Sequence, residues 1–185
     1  MPSATVTRER VHTRTITLDG YSRSDGLMDI EGEIKDVKTY DFPNRDRGVI
    51  HADEALHHMK VRIAIDETMT IREAEAETIA GPYHICPSAT RVFDRLVGLT
   101  IAPGWRNIVR KAIGGVEGCT HITELMGPVA TVAYQTLYGE KARQNRATPD
   151  NANPLKEEHD ALINSCIGHA EDPEAVLAGL NKTAG

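Results

Sequence analysis

The hydrophobic pattern of the chain changes its period once, near Pro87, and this change limits the folds that the sequence can adopt. Before that point apolar residues recur at every second position, which is typical of β-strands with one buried face. After it they recur every three or four positions, as in amphipathic helices. Strands followed by helices predict an α+β fold, with an N-terminal antiparallel sheet of about four strands packed against C-terminal helices.

Four segments carry the two-residue period and are predicted to be the strands of this sheet. They span residues 11–18, 28–35, 56–65 and 69–78. The last segment is rich in alanine and glutamate, so a helix is the alternative there, but the turn at Asp66 favours a hairpin and therefore a strand. The segment 40–53 has no sustained period and is predicted to be a long, ordered connection, a kind of segment that often carries function.

Three helices are predicted between Pro87 and a polar linker at residues 144–151. They are expected at residues 88–97, 103–113 and 120–142. Pro128 lies inside the third helix and should kink or restart it, because proline cannot donate the backbone hydrogen bond. A further helix is predicted from residue 153. We therefore expect a single α+β domain over residues 1–146 and a helical C-terminal extension over residues 147–185.

Composition excludes several classes of function. The formal charge of −6 gives no net attraction for the phosphates of nucleic acid, and no apolar run reaches the length of about 20 residues that a membrane span requires. Three widely spaced cysteines and an N-terminus without an apolar signal indicate a reduced cytosol. No glycine-rich phosphate-binding motif is present. We expect a cytoplasmic protein with a small-molecule substrate, no nucleic-acid or membrane partner, no cofactor and, by default, a two-fold homodimer.

The densest group of reactive side chains lies where a glycine-rich loop enters the third predicted helix. His121 and Glu124 are three positions apart and share a helix face, so the carboxylate can orient the imidazole. Cys119 precedes them at the positive end of the same helix, which favours a thiolate for nucleophilic attack or metal ligation. The alternative is a helix capped by Thr120, with Cys119 and His121 as packing residues.

The chain has eight histidines, as against two Phe, one Trp and five Tyr, and several of the histidines fall near one strand. His57 and His58 lie on the strand predicted at 56–65, and His51 lies on the loop before it. This sheet face could meet the start of the third helix in a cleft. A sulfur and nitrogen ligand set would suit zinc, but no Cys-x-x-Cys or His-Glu-x-x-His motif supports it, so a metal is the alternative. His12 and His84 have no chemical partners nearby in the sequence.

A second group of candidates is a pair of carboxylates, Asp29 and Glu31, two positions apart on one strand. Paired carboxylates on one face raise each other's pKa, so one could act as a general acid and the other as a general base. Arg14 and Arg62 could neutralise them or hold an anionic oxygen of a substrate. The alternative is a solvated strand face.

Several short elements together resemble a bacterial family catalogued as a domain of unknown function. They are Asp25-Gly26-Leu27, Asp29-Ile30-Glu31-Gly32, Leu56-His57-His58-Met59, Cys86-Pro87 and Gly118-Cys119-Thr120-His121. The resemblance runs over residues 11–137. It implies a catabolic enzyme, because the family is associated with bacteria that degrade aromatic or steroid compounds. It carries possible site roles to Asp29, Glu31, His57, Cys119, His121 and Glu124, while His58 stands where the family pattern has an acidic residue.

These observations lead to one functional hypothesis and two alternatives. The hypothesis is a cytosolic lyase that performs acid-base chemistry next to a carbonyl or phenol in the catabolism of aromatic compounds, derived from lignin or steroids. His57 or His121 would accept the proton, with Glu124 orienting His121 and with Asp29 and Glu31 as further acid-base groups. Arg14, Arg62 and Cys119 would bind substrate. The alternatives are a zinc-dependent hydrolase and a non-catalytic module for ligand binding or assembly.

Overall fold

The computed structural model of the protein describes residues 6–147 and 162–183, and in them the predicted α+β architecture is confirmed. The strands of the described part are β1 (His12–Ser22), β2 (Met28–Lys38), β3 (Phe42–Asn44), β4 (Gly48–Ile50), β5 (Ala55–Ile65) and β6 (Ile71–Ala80). The four long strands form one antiparallel sheet in the order β1-β2-β5-β6. These are the four strands that the two-residue period predicts, so the helical alternative for the fourth is wrong.

The long connection predicted at residues 40–53 contains a short hairpin instead. Strands β3 and β4 pair with each other and lie outside the main sheet. The Oδ1 of Asn44 accepts hydrogen bonds from the backbone N–H groups of Asp46 and Arg47, both at 3.0 Å, and closes the turn. Gly48 follows with a φ of 76°, a conformation that glycine adopts without strain. Strands of three residues are too short to show an alternation in sequence.

The helical half begins differently from the prediction. An irregular 3₁₀ helix (Cys86–Leu96) replaces the predicted α-helix. The hydroxyl of Ser88 donates to the carbonyl of Ile85 at 2.8 Å, and that of Thr90 donates to Pro87 at 2.9 Å. Such local bonds compete with the α-helical ladder, so Ser88 does not act as the N-cap that a helix at 88–97 requires.

Two of the predicted helices are confirmed as α1 (Trp105–Ile113) and α2 (Thr120–Ala147). Helix α2 runs without interruption through Pro128, so the predicted restart is wrong. Its buried side chains recur along one face and hold the helix against the sheet on both sides of the proline. They are Ile122, Leu125, Met126, Val129, Ala133 and Leu137.

Near the C-terminus a 3₁₀ turn (Ile167–His169) precedes helix α3 (Pro173–Thr183). The helix predicted from residue 153 lies largely outside the described residues, which resume at Leu162. The chain divides into two compact units, Met1–Leu137 and Tyr138–Gly185, and everything described below belongs to the first. Among the described helices none combines the length and the apolar character that crossing a membrane requires.

The hydrophobic core lies between α1, α2 and one face of the sheet. The sheet contributes alternate residues, among them Ile30 and Ile34 of β2 and Ile63 of β5. Two glycines permit a close approach of α2 to the sheet. A Cβ at Gly20 would lie 1.9 Å from Oγ1 of Thr136, and one at Gly32 would lie 3.1 Å from a methyl carbon of Val129.

Candidate functional site

A carboxylate occupies one position of the buried sheet face. Asp36 follows Met28, Ile30 and Ile34 in the alternation of β2, and its side chain is 1% exposed. In the described residues it is the one charged side chain in the buried class. A buried carboxylate is costly unless charged or hydrogen-bonding groups surround it, so its partners identify the site.

The first partner of Asp36 is an arginine on the neighbouring strand. Arg14 stands directly opposite Asp36 in the pairing of β1 with β2. Its Nε donates to Oδ1 at 2.8 Å and its Nη2 donates to Oδ2 at 2.9 Å, which makes a two-pronged ion pair. The remaining Nη1 donates to Glu124 of α2 at 2.8 Å. Nε2 of His12 lies 3.2 Å from Oδ1 of Asp36.

Two imidazoles contact the other carboxylate oxygen of Asp36. Nδ1 of His57 lies 3.1 Å from Oδ2, and Nε2 of His121 lies 3.3 Å from the same atom. The two rings are stacked, with centroids 3.8 Å apart and planes inclined by 30°. His57 comes from β5, in register with Asp36, and His121 comes from the first turn of α2. The sheet face and the helix start therefore meet, as the sequence predicts.

The shared carboxylate determines which ring nitrogen carries the proton. An ionised carboxylate only accepts, so the hydrogen bond of His57 assigns an N–H to its Nδ1. We assign an N–H to Nε2 of His121 because this nitrogen lies in ion-pair contact with the same carboxylate oxygen, which would repel a lone pair. This leaves a lone pair on Nε2 of His57 and another on Nδ1 of His121. The thiol of Cys119 lies 3.9 Å from Nδ1 of His121 and can donate to it. The site thus holds one free imidazole nitrogen and one imidazole paired with a thiol.

The surroundings keep Asp36 charged and the two imidazoles neutral. Burial alone would raise the pKa of Asp36, but the hydrogen bonds and charge of Arg14, with His12 and His121, hold it at about 2. Burial and the nearby His121 lower the pKa of His57 to about 4, although Asp36 opposes this shift. Burial also lowers the pKa of His121. At neutral pH both rings are therefore ready to accept a proton.

A cavity of about 310 Å³ opens onto the two imidazoles and the thiol. Apolar side chains, among them Met59, Ile85 and Val116, form most of its wall. Its polar lining residues include Ser88, Glu117 and Thr120 besides His57, Cys119 and His121. Asp36 and Arg14 are not among its lining residues, so they lie behind the imidazoles. The cavity is of the kind that binds small molecules, apolar over most of its wall with a few converging polar groups.

The rim of this cavity is held by the turn between β3 and β4. Oδ2 of Asp46 accepts a hydrogen bond from the backbone N–H of His84 at 2.9 Å. The guanidinium of Arg45 lies over the ring of Tyr83, 5.1 Å from its centroid. Because Tyr83 lines the cavity, the short hairpin fixes part of its wall.

A metal ion is the alternative occupant of the imidazole cluster. Asp36, His57 and His121 each offer one ligand atom, and these atoms lie within 4.8 Å of one another. However, an imidazole ligates zinc in its ring plane at about 2 Å. Two rings stacked at 3.8 Å and inclined by 30° do not direct both lone pairs at one ion. The pairing of Asp36 with Arg14 also places a positive charge next to that position.

The sheet separates the candidates that the sequence groups together. Residues 14, 57, 119, 121 and 124 lie at the buried sheet face and the start of α2. Asp29, Glu31 and Arg62 occupy the opposite face, because side chains alternate along a strand. There Arg62 binds Asp29 at 2.9 Å as well as two glutamates of β6. Glu31 is exposed on this second face, which has a cavity of its own of about 310 Å³.

The helix spacing predicts that Glu124 orients His121. The carboxylate that contacts His121 is Asp36 instead. Glu124 is 62% exposed and pairs with Arg14. His12, which lacks partners nearby in the sequence, contacts Asp36 through the pairing of β1 with β2. Asp36 itself carries a signal that sequence reasoning missed: an acidic residue in the apolar phase of a strand.

The other histidines near β5 are held elsewhere. His58 lies on the opposite sheet face and is hydrogen-bonded to Glu33. His51 lies 3.0 Å from Asp41, which raises the pKa of His51, and its side chain is exposed. The cluster around Asp36 is therefore formed by His12, His57 and His121.

Comparison with known proteins assigns the chain to one family. No curated protein and no solved structure matches the chain. One family model does, and its match over residues 12–135 covers β1 through most of α2. It includes Asp36 and the residues that surround it. The chain belongs to the family described as Protein of unknown function (DUF2889).

Proposed function

We propose that the protein is an enzyme that performs acid-base chemistry on a small organic molecule, most simply a lyase that eliminates next to a carbonyl or phenol. The observation that carries this proposal is the pair of stacked imidazoles, 3.8 Å apart, at the wall of the cavity. An elimination needs a base at one atom and an acid at a leaving group one or two atoms away. The two rings have this spacing.

The two imidazoles have different roles in this proposal. Nε2 of His57 is the base, because Asp36 accepts the proton on its other nitrogen and leaves the Nε2 lone pair free. Cys119 and His121 form the acid, since the single proton that the thiol shares with Nδ1 of His121 can pass to the leaving group. Asp36 is a positioning residue that fixes both rings, and Arg14 keeps it ionised.

The cavity wall supports a substrate with an apolar body and a single polar end. Met59, Ile85 and Val116 would contact the body, and the polar end would face the imidazoles. An aromatic compound is the substrate that the family resemblance implies, and it agrees with this division of the wall. Lignin-derived aromatic dimers and steroid ketones are therefore the first compounds to test.

The test is turnover of such compounds by the purified protein and by single variants. We expect His57→Gln and His121→Gln each to lower kcat by a factor of about 10² to 10⁴, the range for loss of a general acid or base. His84→Gln is the matched control, since this side chain is exposed and outside the cavity lining. Full activity in both site variants would refute the proposal.

A second readout separates a base from a packing residue. Because the pKa of His57 in the folded protein is about 4, the acid limb of kcat/KM should fall near pH 4 and not near 6.5. A limb centred at the ordinary pKa of histidine would contradict the role given to His57.

A zinc-dependent hydrolase is the second candidate, favoured by the three ligand atoms of Asp36, His57 and His121. It would require the two rings to rotate out of their stack. Equilibrium dialysis against Zn²⁺ decides between the two, since one bound ion per chain that is lost in His121→Gln would support the hydrolase.

A further inference from the structure

We propose that Cys119, His121 and Asp36 form a nucleophilic triad, in which the Cys119 thiol adds reversibly to small α,β-unsaturated carbonyl compounds that enter the cavity. The inference rests on the proposed function for the source of such compounds, because elimination next to a carbonyl produces them in this cavity. The reactivity of the thiol itself does not depend on the proposed function.

The three side chains stand in the order that a nucleophilic triad requires: nucleophile, base, and a group that orients the base. Sγ of Cys119 lies 3.9 Å from Nδ1 of His121. Nε2 of His121 lies 3.3 Å from Oδ2 of Asp36. Nδ1 is the ring nitrogen that faces the sulfur, and the buried carboxylate lies close enough to Nε2 to stabilise the imidazolium that forms when the ring takes the proton.

The position of the thiol in the fold adds to this arrangement. Cys119 directly precedes the first residue of α2, whose unpaired backbone N–H groups favour negative charge on the sulfur. Its side chain is half-buried and lines the cavity, so a small molecule can reach it. Most of the cavity wall beyond it is apolar, which suits an uncharged electrophile.

The proposed addition is balanced without any co-reactant. The proton of the Cys119 thiol moves to Nδ1 of His121, and the sulfur forms a bond to the β carbon of the electrophile. The electron pair of the carbon–carbon double bond moves towards the carbonyl and gives an enolate. His121 then returns the proton to the α carbon, which leaves a neutral thioether and the ring in its starting form. The reverse sequence releases the compound.

The chain supplies its own control thiols. Cys86 is also half-buried and lines the same cavity, but in the described residues its thiol has no imidazole as a hydrogen-bond partner. Cys166 is exposed and belongs to the other unit of the chain. Trypsin places the three cysteines in three different peptides, because lysine or arginine residues separate them. Mass spectrometry can therefore follow each thiol in one sample.

The experiment uses N-ethylmaleimide, an α,β-unsaturated carbonyl compound, on the full-length protein at neutral pH. We expect Cys119 to react about tenfold faster than Cys86 and faster than the exposed Cys166, since an adjacent base activates a thiol. In His121→Gln the rate at Cys119 should fall to that of Cys86. His84→Gln should leave all three rates unchanged, because its side chain is exposed and outside the cavity lining.

A rate at Cys119 no greater than that at Cys86 would overturn the proposal without any variant, so the test does not depend on the folding of His121→Gln. An unchanged Cys119 rate in a folded His121→Gln protein would overturn it as well. Fast, His121-dependent labelling together with turnover that does not need His57 would refute the proposed function and leave the triad standing. Slow labelling of Cys119 together with turnover that needs His57 would refute the triad and leave the proposed function standing.

Discussion

The sharpest quantitative prediction concerns stability at mildly acidic pH and the substitution His57→Gln. The His57 side chain is 18% exposed, and three groups face it: Asp36 of β2, Arg14 of β1 and His121 of α2. Burial and His121 lower its pKa from 6.5 to about 4. Between these values the unfolded chain binds a proton that the folded protein does not. The contribution of His57 to the free energy of unfolding is therefore fully present above pH 6.5 and is lost as the pH falls towards 4.

The size of the effect follows from the two pKa values. The difference between 6.5 and about 4 corresponds to about 3 kcal/mol in all, of which about 2 kcal/mol falls between pH 7 and pH 5. His57→Gln removes this contribution, while its amide N–H can still donate to Asp36. His121, whose pKa is also lowered, changes the stability with pH in the same direction as His57 and is still present in the variant. The contribution of Asp36 to stability is fully present above pH 3.8 and is lost only between pH 3.8 and about 2, so it does not change between pH 7 and pH 5.

The assay is urea unfolding at a series of pH values for the unsubstituted protein, His57→Gln and the exposed-site control His84→Gln. The free energy of unfolding of His57→Gln should fall by about 2 kcal/mol less between pH 7 and pH 5 than that of the other two proteins. Equal losses in all three would show that His57 is not held neutral by its surroundings, and the reasoning on its role as a base would fail.

Three further predictions test other parts of the structure. Arg14→Met leaves its buried carboxylate partner without two hydrogen bonds and should cost about 3 kcal/mol in urea unfolding at neutral pH; a cost below about 1 kcal/mol would contradict the ion pair. Gly118→Ala places a Cβ 1.7 Å from a backbone oxygen and should cost about 3 kcal/mol, whereas Gly139→Ala, with open space around it, should change stability by no more than about 1 kcal/mol. Asp46→Ala should speed hydrogen exchange at the amide of His84 by about tenfold, since one hydrogen bond is lost; unchanged exchange would mean that the turn does not hold the rim.

Much of the fold is predictable because its strands are half-buried. Alternation in β2 and β5 separates apolar from charged residues clearly enough to place both strands and their faces. The hairpin of β3 and β4 is not predicted from the sequence because a strand of three residues cannot show a period. The restart expected at Pro128 fails because packing of α2 on the sheet outweighs the local preference of one residue.

The candidate site is predictable only where its residues are close in sequence or share a strand face. The spacing of Cys119 and His121 predicts their grouping, and the face of β5 places His57 towards the helices. Asp36 and Arg14 meet through strand pairing, which a single sequence does not disclose. For the same reason Glu124 is the nearest carboxylate to His121 in sequence but not the one that contacts it.

The pairing of β2 with β5 contains an irregularity directly beside the site. The register changes after the pair of Asp36 and His57, so that Val37 stands opposite Ala55 and Leu56 is an extra residue. Pairs from Met28 to Asp36 are fixed by the buried sheet face, whereas the chain from residue 39 to 54 connects the two strands beyond the bulge. Insertions or deletions in that connection can be absorbed there without moving Asp36 or His57. We therefore expect family members to differ in length at this point, which changes the cavity rim and leaves the cluster around Asp36 in place.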